Sequence, residues 1–250
     1  VRGDVVTHPV TIVEGLTADE TAVALASAGF GDVELFRTEI SSPERIADLD
    51  PDAENLEGYL YPDTYRFANG TTEAEIISSM VDNFRRRVDT ELSPLLEAAD
   101  RSLRDLVTLA SIIEKEAKFD EERPIISAVY NNRLERGIAL YADPTIIYAL
   151  KLAGTWDGDI RRRDLSLESP YNTYRVAGLP PSPICSPRID SLVAAADPAE
   201  VDYLYFVSKN DGSHVFARTL SEHNRNVYEW QKRYWRERRE QDRKKEKSGA

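Results

Sequence analysis

Hydrophobic positions recur most regularly between Ser102 and Arg123, in the stretch SLRDLVTLASIIEKEAKFDEER. Leu103, Leu106, Ala110, Ile113 and Ala117 follow at steps of three and four, and Leu109 and Ile112 widen the stripe. That spacing predicts an amphipathic helix, and Ser102 with Asp105 supplies a capping-box start. Measured from Ile113, the apolar arc runs from about −100° at Ile112 to about +80° at Leu103. Glu116 falls at about −60°, inside the arc, whereas Glu114 falls at about +100°, just outside it, and Lys115 points to the wet side. A carboxyl within an apolar face is desolvated, which raises its pKa and keeps a proton in place for general acid catalysis. A salt-bridged glutamate closing a core helix would give the same pattern, and the pattern alone leaves both readings open.

The same reading along the chain predicts a β-prone run over Val5 to Val13, then a helix capped by Thr17 and Glu20 that runs through Ala28 and stops at Gly29. Val33 to Ile40 forms another short element. Aromatics alternate through LEGYLYPDTYRF at 56–67, which predicts a strand edged by Pro62. Thr72 and Glu75 cap a helix from Ala74 to Leu92. Pro124 suits the first turn of a helix whose apolar side is Ile125, Ile126, Val129, Tyr130 and Leu134 and which stops at Gly137. Residues 142–150 and 169–187 read as polar-aromatic loops, Asp190 to Ala196 as a helix, and 202–220 as a hairpin turning at Asp211-Gly212. The fold class is α+β: a helical core, with short antiparallel strands from 56–67 and 202–220 bordering a cleft.

The chain has 250 residues, enough for one large domain or two smaller ones. Its net charge of −12 disfavours nucleic acid as a partner. The tail, 229–250, reverses that sign with nine Lys/Arg against five Asp/Glu, and reads as a charged final helix that docks through Trp230, Tyr234 and Trp235 and then frays. No stretch reaches the roughly 18 consecutive apolar residues of a membrane span. The chain starts at Val1 rather than methionine, which reads as a processed or truncated piece.

Candidate chemistry narrows by composition. A single cysteine, Cys185, excludes an internal disulfide and a multi-cysteine zinc site. His8, His214 and His223 lack metal-ligand spacing, and neither a Gly-rich phosphate loop nor a GxSxG elbow is present. No metal and no cofactor is expected. Carboxyl groups flanked by aromatics and amides instead suit a glycan groove. Such residues cluster at Glu57-Gly58-Tyr59, Tyr61 to Tyr65, Tyr130 to Arg133, Asp143 to Thr145 and Tyr171 to Tyr174.

Five ordered blocks carry a resemblance: LEGYLYPDTYRF at 56–67, LASIIEKEA at 109–117, YNNRLERGIALYADPTIIYAL at 130–150, YNTYRVAGLPPSPICSP at 171–187 and YLYFVSKNDGSHVFARTLSEHN at 203–224. Through them the chain resembles the YceG-like endolytic murein transglycosylase family over residues 10–228. The resemblance implies a peptidoglycan lyase that cuts the β-1,4 bond between N-acetylmuramic acid and N-acetylglucosamine and leaves a 1,6-anhydro-muramyl end. It implies a lysozyme-like helical core with Glu116 as the one general acid/base, its carboxylate or a neighbour taking the C6-hydroxyl proton, and Glu114 as an auxiliary neighbour. Glu57, Asp63, Tyr65, Asn132, Asp143, Tyr148, Asn172 and Tyr174 are the expected substrate contacts. Glu57, Asp63 or Asp143 would serve as second carboxylate if the enzyme were instead a muramidase-type hydrolase, and a non-catalytic peptidoglycan-binding scaffold is the remaining alternative.

The implied domain order is a partial LysM-like module at 1–40, the catalytic domain at 41–228 and the charged segment at 229–250. The resemblance further implies peptidoglycan strands and cell-wall synthesis proteins as partners. It also implies a single membrane anchor outside this chain, holding the protein at the outer face of the bacterial cytoplasmic membrane.

Overall fold

The computed structural model describes residues 6–98, 101–236 and 238–239. The chain opens with β1 (Thr7–Thr11), α1 (Ala18–Ser27) and α2 (Val33–Ser41). Thr17 caps α1: its side chain accepts from Glu20 N, and Glu20 reaches back to the Thr17 backbone. Strand β2 (Thr64–Ala68) pairs antiparallel with β1, from Thr7 opposite Ala68 to Thr11 opposite Thr64.

This pairing ties the segment expected as a module at 1–40 to the chain beyond it. Among the described residues β1 pairs with β2 from beyond that boundary, and α2 packs on α3 (Glu73–Arg87). Phe36 and Ile40 enter the same core as Met80 and Phe84. Among the described residues, no LysM-like module is evident.

The strand predicted over 56–67 is also shorter than expected. Gly58 has φ +89 and Pro62 lacks a backbone donor, so the chain turns through 56–61 and extends only at β2. Tyr59, Tyr61 and Leu60 are nevertheless buried, because the turns roll these side chains into the core, Tyr59 edge-on against Phe84 of α3, rather than alternating them across a sheet.

The next helices are α4 (Ser93–Ala98), α5 (Leu103–Glu116), α6 (Arg123–Glu135) and α7 (Asp143–Leu152). Helix α5 is the centre of the core, with Leu106 through Glu114 buried on every side. It is sandwiched by α6, α7 and α8 (Ile189–Ala196). α7 replaces the loop expected at 142–150: Pro144 sits in its first turn, where the missing N–H costs nothing. The hairpin arrives as predicted, β3 (Tyr205–Ser208) against β4 (His214–Ala217), with Tyr205 opposite Ala217. α9 (Leu220–Val227) packs against both strands.

Of the tail, residues 237 and 240–250 lie outside the described residues. Up to there the chain continues as a helical turn over Tyr228–Arg233, held by Asn210 Nδ2 to Trp230 O at 2.7 Å and Gln231 Nε2 to Ser208 O at 2.9 Å. Among the described residues, no helix is long and apolar enough to cross a membrane.

Candidate active site

Glu116 is the last residue of α5. A helix C-terminus carries partial negative charge, so a carboxylate is disfavoured there. Among the described residues, its carboxyl accepts one hydrogen bond, from the hydroxyl of Tyr130 on α6 to Oε1 at 3.0 Å. Burial pushes its pKa up from the ordinary 4.5 to about 7. The Tyr130 hydrogen bond and the Arg133 cation oppose that rise, and the Asp143 carboxylate adds to it. A protonated carboxyl near neutral pH is the state a general acid needs.

The carboxyl opens into a cleft of about 480 Å³, lined by Glu116, Arg133, Tyr141, Asp143, Tyr174, the hairpin residues Tyr205 to Ser208, His214 and His223, with Leu140 and Leu220. That volume is in the range of small-ligand sites. Asp143 is the first residue of α7 and accepts from the Tyr174 hydroxyl at 2.5 Å. Two carboxyl groups thus meet in one cleft at opposite kinds of helix end.

Glu114 has a different environment. Its side chain is only 3% exposed, and it accepts from Arg188 N and Nε, each at 3.1 Å, and from Ser191 Oγ at 2.7 Å. Arg123 Nη1 stands 3.8 Å away. Glu114 is an ion-paired strut between α5 and α8. This reverses the order of burial expected from the helical wheel. α8 covers the side of α5 that the wheel left outside the apolar arc, and the Glu116 side opens to the cleft instead.

The expected substrate contacts divide by location. Asp143 and Tyr174 line the Glu116 cleft. Glu57 and Tyr148 line a second depression of about 620 Å³ with Lys151 and Trp156. There both Glu57 oxygens accept from Ala18 N, at 3.0 and 3.1 Å, and Tyr148 donates at 3.1 Å, so the carboxyl caps the start of α1. Burial pushes Glu57 to about 7, against the hydrogen bonds from Ala18 and Tyr148.

Asp63 accepts from Asn83 Nδ2 at 3.0 Å, and Tyr65 donates to Tyr61 O at 2.6 Å. Both lie on the β2 side, whose residues are not among those lining the Glu116 cleft. Asn132 gives its amide to Val201 O and Tyr203 O, each at 2.9 Å, and so fastens α6 to the approach of β3. Asn172 is fully buried and bonds Leu165 O and Leu167 O.

Arg133 lies in the Tyr130 to Arg133 cluster without being among the expected contacts, and His214 and His223 carry no sequence signal of a site, yet all three line the cleft. Arg133 is one residue past Asn132, in a block already rich in polar residues. Its Nε donates to Leu204 O at 2.7 Å and its Nη1 to Leu140 O at 2.5 Å, tying the two walls of the cleft together. Burial lowers its pKa. The histidines are 80 residues or more from Glu116 in sequence, and no spacing rule links them. Among the described residues, no group of His, Cys, Asp and Glu is arranged to hold a metal ion.

Comparison with known proteins adds to this geometry. The model of the YceG-like family matches residues 1–229. A protein of Bacillus subtilis strain 168 named endolytic murein transglycosylase is 42% identical over 171 residues, 68% of this chain and 46% of that protein. One of the same name from Streptococcus pneumoniae serotype 2 is 35% identical over 181 residues, 70% of this chain and 32% of its own length. The chain therefore matches less than half the length of either relative. The 2.6 Å crystal structure of a yceG-like protein from Listeria monocytogenes superposes with a TM-score of 0.78 at 33% identity, covering 88% of this chain and 75% of that one.

Proposed function

The chain belongs to the YceG-like family, and on that premise we propose that it is the catalytic part of an endolytic peptidoglycan lytic transglycosylase with Glu116 as general acid. The observation that carries the reading is the partly buried Glu116 carboxyl, raised to about 7 and lining the cleft that Asp143 and Tyr174 also line. Glu116 gives its proton to the glycosidic oxygen as positive charge develops at C1 of the muramyl sugar. The sugar's own C6 hydroxyl then closes on C1, its proton passing to the Glu116 carboxylate just formed, and the 1,6-anhydro ring results. Because the nucleophile belongs to the substrate, the step draws on proximity and needs neither a water nor a protein nucleophile.

Helices α5 to α8 form the lysozyme-like core of a catalytic domain that we place at 41–228, followed by the charged segment at 229–250. Asp143 and Tyr174 contact the strand beside Glu116. Asn132 and Asn172 brace the segments beside the cleft, whereas Glu57 and Tyr148 would meet a strand only in the second depression, and Asp63 and Tyr65 lie on the β2 side. The whole protein is read as acting on nascent peptidoglycan with cell-wall synthesis proteins, anchored at the outer face of the cytoplasmic membrane.

The mass of the product separates this reading from hydrolysis. Uncrosslinked glycan strands digested with the protein give internal fragments whose muramyl ends are one water lighter than reducing ends. Reducing-end fragments would instead identify a hydrolase, with Asp143 as the second carboxylate in the cleft.

A further inference from the structure

Tyr141 lines the Glu116 cleft in a backbone conformation that its own residue type disfavours. Its φ is +48, and among the described residues the other non-glycine with positive φ is Asn210, in the β3–β4 turn. Asparagine visits that region readily because its short side chain bonds the local backbone, whereas a Cβ carrying a bulky ring crowds the following carbonyl. A left-handed tyrosine persists only where its surroundings over-determine it, and such residues gather at binding sites.

The surroundings can be followed bond by bond. Leu140 and Ala142, on either side, are fully buried. Leu140 O accepts from Arg133 Nη1 at 2.5 Å, Tyr141 N donates to Thr173 O at 3.2 Å, and Ala142 N donates to Thr173 Oγ1 at 3.0 Å. Ala142 O then accepts from Thr145 Oγ1 at 2.7 Å, at the start of α7. With both neighbours locked into the core, the residue between them is turned outward, and Tyr141 is 51% exposed.

The turn itself does not call for an aromatic, since glycine or asparagine would take the same backbone with less strain. What tyrosine adds is its ring. The ring meets Tyr174 edge-on with centroids 5.3 Å apart, and the Arg133 guanidinium lies 5.9 Å from its centroid. Tyr174 in turn donates to Asp143, and Arg133 is tied to Leu204 O. The ring is thus held by two braced neighbours, and half of the residue stays open in the cleft that Glu116 and Asp143 line.

Such a platform suits the C–H face of a pyranose. Axial C–H groups give a sugar ring an apolar patch edged by hydroxyls, and a fixed aromatic ring covers that patch without a hydrogen bond. We propose that Tyr141 is a substrate-binding residue on which one N-acetylhexosamine ring of the strand stacks beside Glu116, and that the braced turn at 140–142 presents it. The inference rests on the lytic transglycosylase reading above and names a further contact within that site.

The test compares Tyr141→Asn, Tyr141→Ala and Tyr141→Phe with wild type on uncrosslinked glycan strands. Strand binding is measured in a Glu116→Gln background, beside KM, kcat and Tm. Asparagine suits the left-handed backbone and lacks the ring. Tyr141→Asn is expected to weaken binding and raise KM about tenfold, with kcat changed less than about threefold and Tm at or above that of wild type. Tyr141→Ala loses the same binding and melts below Tyr141→Asn, because it keeps the strain. Tyr141→Phe recovers most of the binding that Tyr141→Ala loses. A residue kept for the fold alone would show the reverse, with Tm falling and binding per folded molecule retained.

Wild-type binding and KM in Tyr141→Asn would overturn the assignment. So would a loss of binding in Tyr141→Phe equal to that in Tyr141→Ala. If wild type yields reducing ends in place of anhydro ends, the lytic transglycosylase reading fails, and the binding comparison still decides Tyr141. If the Glu116→Gln protein binds no strand at all, both fall.

Discussion

Tyr130 on α6 donates its hydroxyl to Glu116 at the end of α5 across 3.0 Å, and no cation pairs with that carboxyl at salt-bridge distance among the described residues. The contact joins a fully buried phenol to the one carboxyl in the α5 pair that opens to the cleft. A donor aimed at a carboxylate favours the ionised form, so Tyr130 restrains the rise that burial imposes on Glu116. Tyr130→Phe keeps the ring against Phe206 and removes the donor. The alkaline limb of the pH–rate profile, set by loss of the Glu116 proton, is expected to move to higher pH, with stability lowered by about 1 kcal/mol. An unchanged limb would mean that another group sets it.

Burial at Glu116 and Glu57 also ties stability to pH. Each carboxyl is raised from 4.5 to about 7. Between those values the folded chain holds protons that the unfolded chain has released, so stability declines as pH rises through that window. Urea unfolding at pH 5 and pH 8 should show this decline, reduced in Glu116→Gln and in Glu57→Gln and smallest in the double variant. Identical pH dependence in wild type and the double variant would contradict the shifts.

Glu114 should behave as a structural residue. Replacing it by alanine removes the carboxylate nearest the buried Arg123 Nη1, which keeps Ser191 and Asp120, and removes two contacts to Arg188 and one to Ser191. The expected loss is about 3 kcal/mol, toward the lower end for a broken buried pair because Arg188 is partly exposed. Denaturant titration reads it. Activity per folded molecule is expected to persist.

Gly58 permits the turn that seats 56–61 against the 179–187 loop. Its φ is +89, and a Cβ there would lie 2.4 Å from Pro183 Cβ. Gly58→Ala combines left-handed strain with overpacking and is expected to cost about 3 kcal/mol, seen as a lowered Tm. An unchanged Tm would show that the loop gives way freely.

How much of this was legible in the sequence follows from the range of the signals. The caps at Thr17, Thr72 and Ser102, the Pro124 helix start and the 202–220 hairpin depend on neighbours a few residues apart, and they fold as read. The segment holding α7 was read as a loop because its polar start, Asp143-Pro144-Thr145, looks like turn chemistry. In the fold that start is an N-terminal turn, and burial of Ile146 and Tyr148 supplies the rest. The 56–67 alternation misled in the other direction, since aromatics every second residue also suit rolled turns over a helical core.

The α5 glutamates were visible as a pair. Which of them is ion-paired depends on α8, some 75 residues later, and a single-helix wheel has no knowledge of that neighbour. Arg133, His214 and Glu122 come together only when the β3–β4 hairpin closes over α6. Asn132 and Asn172 show the reverse limit, because an amide that bonds backbone carbonyls looks in sequence like one that faces a groove.

The most direct test of the account is the cleavage of uncrosslinked peptidoglycan strands by Glu116→Gln beside wild type, with fragments read by mass spectrometry and folding checked by thermal melting. The account predicts internal anhydro-muramyl fragments from wild type, none from Glu116→Gln, and a variant that melts at or above the wild-type temperature at pH 8. Equal cleavage by the two proteins would contradict it and remove Glu116 from the chemistry.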